Sequence, residues 1–134
     1  MANKLDYIAG AVVAFSFVLI IYQIIGFTIS GWNAERISSM EFFLGIIQLI
    51  AHLIGGFFAG YLIGKKLESD QIIGGATTGL LAYILESIYV SLFGGSFMPE
   101  FWSLGGFLIS GSAGAYLVKR NQLRTENNNY EKKA

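Results

Sequence analysis

Residues 42–64 read FFLGIIQLIAHLIGGFFAGYLIG, and this run contains no Asp, Glu, Lys or Arg. A helix needs roughly 17 to 25 mainly apolar residues to cross about 30 Å of hydrocarbon, and this run has that length. Three further segments have a spanning length and the same low charge: 7–30, 71–93 and 101–118, of which the last is the shortest. We therefore predict an all-α membrane protein built as a bundle of four transmembrane helices.

The composition of the chain supports this class. The chain has 134 residues, of which 54% are hydrophobic and 13% are charged, whereas an ordinary soluble domain has about 25% charged residues. A soluble bundle would carry polar residues at a 3.6-residue period along the outer face of each helix, but the first two segments are apolar nearly all round. The first segment is also longer than the roughly 7 to 15 apolar residues of a signal-peptide core, so we expect it to remain as a helix.

The charges predict the orientation and the division of the chain. Every Lys and Arg except Arg36 falls near the two termini or in the 65–70 turn, and such residues collect on the cytoplasmic side of a membrane. We therefore expect both termini in the cytoplasm, the 94–100 connection outside, and a multi-pass location in the cell membrane. One domain covers 1–120, and 121–134 is a polar, Asn-rich cytoplasmic tail that is predicted to be disordered.

Small residues recur at every fourth position on three of the predicted helices. Helices in lipid associate through close van der Waals contact, which small residues allow, and residues four apart lie on one helix face. The residues predicted to pack helices together are Gly56, Gly60, Gly64, Gly75, Gly79, Gly106 and Gly114. These faces either pack within one chain or join it to a second copy or to another membrane subunit. Segments 42–64 and 101–118 also share Gly-Gly-Phe and Ala-Gly motifs. This similarity is open to two interpretations, two tandem helical hairpins or a chance match between glycine-rich segments.

One acidic residue, Glu86, lies inside a predicted membrane segment. Such a residue usually faces a bundle interior, a partner or a water-filled cavity, and Glu86 shares a helix face with Gly75 and Gly79. The other polar residues predicted to lie deep in the membrane are Gln23, Gln48, His52 and Ser110. We predict that Glu86 accepts a hydrogen bond from His52 or Gln48.

The sequence leaves two interpretations of this polar layer open. Burial favours the protonated form of a carboxyl and histidine titrates near neutral pH, so the layer is suited to proton coupling. Hydrogen bonds between helices also hold membrane bundles together, at about 0.6 kcal/mol each on average in one measured protein. We favour the second interpretation, in which the layer joins the helices.

Motifs for catalysis or cofactor binding are not found in the sequence. The chain has one His and no Cys, which is too few for a usual transition-metal site of three or four ligands. It contains no G-x-S-x-G, G-x-x-x-x-G-K-[ST] or H-E-x-x-H motif. The net charge of +0 provides no basic surface for nucleic acid. We predict no enzymatic activity, no cofactor, no metal and no nucleic-acid partner.

Two motifs in the middle of the chain resemble those of a protein family. They are GGFFAGYL at 55–62 and GGATTGLLA at 74–82. They resemble small, uncharacterised four-helix membrane proteins found chiefly in archaea, in which a GGFxAGYL-like helix precedes a GAxxGLLA-like helix. The chain departs from that pattern in Glu86 and in the charged 65–70 turn. Because the family has no assigned activity, the resemblance implies the architecture and no mechanism.

These features predict a non-enzymatic structural or accessory subunit in the lipid bilayer. It would act as a homo-oligomer or as part of a larger membrane complex. The alternative is a small transporter or channel in which Glu86 and His52 line a proton or substrate pathway.

Overall fold

Four α-helices make up the described part of the protein. The structure is a computed structural model that describes residues 2–93 and 101–131, with side chains up to residue 125. The helices are α1 (Lys4–Ile29), α2 (Ala34–Gly64), α3 (Gln71–Phe93) and α4 (Phe101–Glu131). No strand occurs in these ranges, and each helix has the length and apolar composition needed to cross a membrane. The predicted all-α fold with four membrane-spanning helices is thus confirmed, while the 94–100 connection lies outside the described residues.

α2 begins about two turns earlier than the uncharged run at 42–64. The Asn33 side chain caps the helix by accepting a hydrogen bond from the Arg36 backbone N–H, at 2.9 Å. Such a cap satisfies one of the free N–H groups of the first turn. The Arg36 guanidinium also lies 4.4 Å from the centre of the Trp32 ring. α2 therefore includes a polar first section that a search for uncharged runs leaves out.

α4 continues beyond its predicted membrane span. It runs to Glu131, so the expectation of a disordered tail is wrong for residues 121–131. The sequence after Gly114 contains no further Gly or Pro, the two residue types that most disfavour a helix interior. The extension is also anchored, because the Gln71 side-chain amide of α3 donates a hydrogen bond to the Gln122 side-chain oxygen, at 2.6 Å.

The helices pack as a diamond in cross-section. α2 and α3 contact each other across the short diagonal, and α1 and α4 each contact both of them. Within the described ranges α1 and α4 do not touch. Each predicted hairpin therefore has its two helices in contact. The two hairpins are not equivalent in the fold, however, because α2 meets α3 whereas α1 does not meet α4.

Glycines allow α4 to lie against the backbones of both α2 and α3. A Cβ added at Gly60 of α2 would lie 2.7 Å from the Gly111 Cα, and one added at Gly75 of α3 would lie 2.8 Å from the Gly111 carbonyl carbon. Atoms in ordinary contact are about 3.5 to 4.0 Å apart, so neither position has room for a side chain. Gly111 is therefore the point on α4 that both neighbouring helices approach.

The other glycines predicted to pack are also placed between helices of the same chain. Each lies against a named neighbour: Gly56 and Gly79 against Phe107, Gly64 against Ala115, Gly106 against His52, and Gly114 against Phe57 and Tyr61. On α1, Ala14 meets Gly55 of α2 in the same manner. The close backbone contacts of the bundle are thus made within one chain.

The interior of the bundle is built from small side chains and its exterior from large apolar ones. The largest cluster of buried apolar residues contains Ala11, Ala14, Val18, Ala51, Ala59, Ala82 and Phe107. Large apolar residues such as Phe43, Ile73 and Ile109 are instead exposed. Soluble monomers rarely expose contiguous apolar surface on this scale, whereas such a surface suits a hydrocarbon environment.

Candidate functional site

Glu86 is the most deeply buried ionisable side chain that α3 carries. Its side chain is 1% exposed, and it follows Gly75, Gly79 and Ala82 along the buried face of the helix. Residues three, four and seven positions apart share one face of a helix, so the small residues that bring α3 close to its neighbours also turn Glu86 inward.

Two side chains from other helices form hydrogen bonds with one oxygen of this carboxyl. The Tyr22 hydroxyl of α1 donates a hydrogen bond to Glu86 Oε1, at 2.8 Å. The His52 Nε2 atom of α2 lies 2.9 Å from the same oxygen. His52 is 3% exposed, so its contact with Glu86 is closed to bulk solvent. Three helices are therefore joined at a single carboxyl oxygen.

The second ring nitrogen of His52 is held by the helix that carries it. His52 Nδ1 lies 2.6 Å from the backbone carbonyl oxygen of Gln48, one turn earlier on α2. A carbonyl oxygen can only accept a hydrogen bond, so Nδ1 carries a proton and donates it. This bond fixes the orientation of the ring and the identity of one protonated nitrogen.

The fourth helix closes the site with apolar and hydroxyl groups. The fully buried Phe107 ring of α4 packs edge-on against the His52 ring, with the ring centres 4.9 Å apart. The Ser110 hydroxyl donates to the Gly106 carbonyl, and the His52 carbonyl lies 3.4 Å from it. We refer to Tyr22, His52, Glu86 and Phe107 as the Glu86 cluster; each comes from a different helix.

Glu86 Oε2 differs from Oε1 in having no hydrogen-bond partner among the described residues. It is buried, and no described residue forms a hydrogen bond with it. A buried polar atom without a partner costs about 1 to 3 kcal/mol, and more when the group is charged. The two oxygens of one carboxyl therefore lie in very different surroundings.

The structure separates the predicted polar residues into those that meet and those that do not. His52 and Glu86 are in direct contact. Gln48 takes part through its backbone carbonyl and not through its side chain. Ser110 bonds to backbone oxygens of α4 and α2. Gln23 is exposed on α1, so the structure does not bring it together with His52 and Glu86.

Tyr22 occupies the place that was predicted for Gln23. Successive residues of a helix are rotated by about 100°, so two neighbours at nearly the same depth point in different directions. The buried positions Ala14 and Val18 continue by one more step of four to Tyr22. The small-residue spacing of α1 is therefore the sequence signal that identifies the correct residue.

A second group of polar contacts lies where the Lys-rich segments meet, at the end of the bundle that we call the basic end. Lys66 donates to the Asp6 carboxylate, and the Lys65 ammonium lies 4.5 Å from the centre of the Tyr61 ring. Next to them is an open groove of about 1010 Å³ that extends to Gln122 on α4. These contacts place the start of α1, the 65–70 turn and the extension of α4 together.

The described residues contain no group of three His, Cys, Asp or Glu side chains that could hold a metal ion. Comparison of the chain with protein-family models, with curated proteins and with solved structures gives no match. The geometry of the four helices and of the Glu86 cluster is therefore the basis on which a function can be proposed. At the coarsest level, four apolar helices of spanning length define a multi-pass membrane protein.

Proposed function

We propose that this protein is a non-enzymatic structural or accessory component of the cell membrane. The observation that supports this role is that the glycine faces and the Glu86 cluster are both used between helices of one chain. The result is a closed bundle whose lateral surface, along the four spans, exposes large apolar side chains. Such a surface suits contact with lipid and with other membrane-embedded helices.

In this role the Glu86 cluster stabilises the arrangement of the helices. Tyr22 and His52 bind the same carboxyl oxygen from α1 and α2, so displacement of either helix breaks a hydrogen bond inside the membrane. Each such bond contributes about 0.6 kcal/mol on average, and up to about 1.7 kcal/mol, in the membrane protein where many were measured. The cluster thus adds directional contacts to a core of small residues.

The proposed orientation has both termini and the basic end in the cytoplasm. The distribution of Lys and Arg supports it, since Arg36 alone lies toward the other end. We also retain the resemblance to small archaeal four-helix membrane proteins as a proposal, which concerns the architecture alone.

Partners other than lipid are proposed to meet the outer faces of the bundle. Because the glycine faces are occupied within the chain, a second copy or another subunit would contact exposed residues such as Phe43 on α2 or Ile109 on α4, which is 70% exposed. We propose no nucleic-acid partner and no cofactor.

Photo-crosslinking in intact membranes tests the accessory role. A photoreactive amino acid would be placed at Phe43 or Ile109, and, as a buried control, at Phe107, which is 0% exposed. We expect the two outer positions to give crosslinks to a second polypeptide, and Phe107 to give crosslinks within the chain alone. Crosslinks from the outer positions to lipid only, together with a single chain in native mass spectrometry, would show that the accessory role is wrong.

A small transporter or channel is the second candidate, and one observation favours it. Glu86 Oε2 is buried without a partner among the described residues, which is costly in a site that serves packing alone. Flux of protons or of a cationic dye in proteoliposomes tests this candidate, with the Glu86→Gln variant removing titration while keeping the size of the side chain. Equal flux in the variant and in the native chain would exclude Glu86 from a pathway.

A further inference from the structure

The hydrogen bonds of His52 determine where protons must lie in the His52–Glu86 pair. Nδ1 must donate to the Gln48 carbonyl, at 2.6 Å, so a neutral ring has an unprotonated Nε2. That nitrogen lies 2.9 Å from Glu86 Oε1. Two lone pairs facing each other at this distance repel, so one proton must lie between the two atoms.

In a pair without net charge, two arrangements satisfy both contacts. In one, His52 is an imidazolium and Glu86 a carboxylate; in the other, His52 is neutral and Glu86 is a carboxylic acid whose Oε1–H donates to Nε2. They differ by one proton transfer, in which the Nε2–H bond breaks and the Oε1–H bond forms. The pair has the same number of protons and no net charge in both.

Oε2 favours the second arrangement. As part of a carboxylate it would hold a share of negative charge with no donor among the described residues, whereas as the carbonyl oxygen of an acid it is only an unused acceptor. Among the described residues, the titratable groups hydrogen-bonded to Glu86 are Tyr22 from α1 and His52 from α2; α4 provides the uncharged Phe107 and Ser110 beside His52. No other Asp, Glu, Lys or Arg occurs in the four apolar spans to compensate a charge.

We propose that Glu86 and His52 form a proton-binding site inside the membrane. The site holds one proton on Glu86 Oε1, donated to His52 Nε2, and is neutral as a unit, with His52 fixed in its Nδ1–H form. This assignment goes beyond a packing role, because a packing role needs only that the two side chains touch.

The two oxygens then have different parts in proton uptake. An incoming proton bonds to Oε2, the free acceptor; the Oε1–H bond breaks, and its proton forms an Nε2–H bond on His52. The pair gains one proton and one positive charge, and Glu86 stays a neutral acid throughout. Tyr22 continues to donate to Oε1 in both states.

Nuclear magnetic resonance of the histidine ring provides the first test. His52 is the sole histidine of the chain, so protein made with ¹⁵N-labelled histidine and placed in lipid bilayers gives signals from this ring alone. At neutral pH we expect a protonated Nδ1 and an unprotonated, hydrogen-bonded Nε2. A ring protonated on Nε2 with Nδ1 free, or on both nitrogens, would overturn the proposal, and neither observation needs a variant.

Infrared spectroscopy tests the location of the proton on Glu86. We expect a carbonyl stretch of a protonated carboxylic acid at neutral pH that is lost in Glu86→Gln and kept in the control Glu41→Gln, which changes an exposed acid on the same protein. On acidification the ring should gain an Nε2–H signal while this stretch persists. A stretch that is absent at neutral pH and appears only on acidification would show that Glu86 is a carboxylate in the resting protein.

The role in packing is tested separately from this assignment. If Glu86→Gln leaves the stability of the bundle unchanged but removes the carbonyl stretch, the proton site stands and the stabilising role of the carboxyl fails. If Glu86→Gln lowers the stability and the native chain shows no carbonyl stretch, the stabilising role of the carboxyl stands and the proton site is wrong.

Discussion

Gly60 provides the most direct test of how α2 packs against α4. A Cβ at this position would lie 2.7 Å from the Gly111 Cα, and closer still to the Gly111 carbonyl oxygen. Because ordinary contacts require about 3.5 to 4.0 Å, Gly60→Ala forces the two backbones apart by about 1 Å. Overpacking of this kind costs about 1 to 3 kcal/mol. Both partners are backbone atoms, so no side chain can rotate to relieve the overlap.

Gly45→Ala is the matched control, since it makes the same chemical change on the same helix. Nothing lies within 4 Å of a Cβ added at Gly45. The higher helix propensity of Ala, about 1 kcal/mol relative to Gly, applies equally to both variants and cancels in the comparison. The free energies of unfolding of the two variants should therefore differ by about 1 to 3 kcal/mol, with Gly60→Ala the less stable.

Unfolding by an ionic detergent, followed by circular dichroism and by tryptophan fluorescence, measures this difference. Equal midpoints for Gly60→Ala and Gly45→Ala would refute the close contact of α2 with α4 at Gly111. The result does not depend on any function of the protein, because both measurements report on the folded bundle alone.

Three further pairs of variants test the cluster, the orientation and the 65–70 turn. Tyr22→Phe removes one hydrogen bond to the buried carboxyl and should lower the free energy of unfolding by about 0.6 kcal/mol, up to about 1.7, in the same detergent titration. The control is Tyr89→Phe, because the Tyr89 ring packs against the rings of Phe15 and Phe93; it should change the free energy of unfolding little, and equal losses in the two variants would contradict the special role of the Tyr22 hydroxyl. Since the chain has no cysteine, Ser69→Cys and Ser38→Cys give single labelling sites; a membrane-impermeant thiol reagent applied to intact cells should label the second and not the first, and the opposite pattern would reverse the orientation. Asp70 has a positive φ of 53°, so Asp70→Val should be less stable than Asp70→Gly by about 1 kcal/mol or more, and thermal unfolding midpoints that coincide would contradict strain at this residue.

The membrane spans were predictable because hydrocarbon imposes a length on every helix that crosses it. α3 begins and ends where the apolar segment 71–93 does. The start of α2 and the end of α4 extend two turns or more beyond the predicted segments. These two ends are determined by side-chain hydrogen bonds, which a hydropathy pattern does not show. Asn33 begins α2 through a side-chain cap, and Gln122 holds the extension of α4 through a contact with Gln71, more than a helix away in sequence.

The site was predictable in its central pair and not in its third member. Glu86 and His52 are the two ionisable residues in apolar spans where few others occur, so their contact follows from the cost of leaving either one alone in lipid. Tyr22 is one of several tyrosines in the predicted helices, and its depth in the membrane does not mark it as part of the polar layer. Depth predicts the neighbouring Gln23 for the polar layer equally well. Only the direction of the side chain, which depends on how α1 is rotated by Ala14 and Gly55, distinguishes the two.

Glycine packing and the state of the Glu86 carboxyl depend on each other. A Cβ at Gly106 would lie 3.0 Å from the His52 Cβ, so α4 approaches His52 closely because position 106 has no side chain. That approach places the Phe107 ring edge-on against the imidazole and closes the site. Closure makes a charge on Glu86 costly and so favours the neutral, proton-sharing pair. A larger residue at 106 would push α4 away from His52 and open a gap beside the imidazole. The Glu86 carboxyl would then lose the closed, apolar surroundings that favour its protonated form.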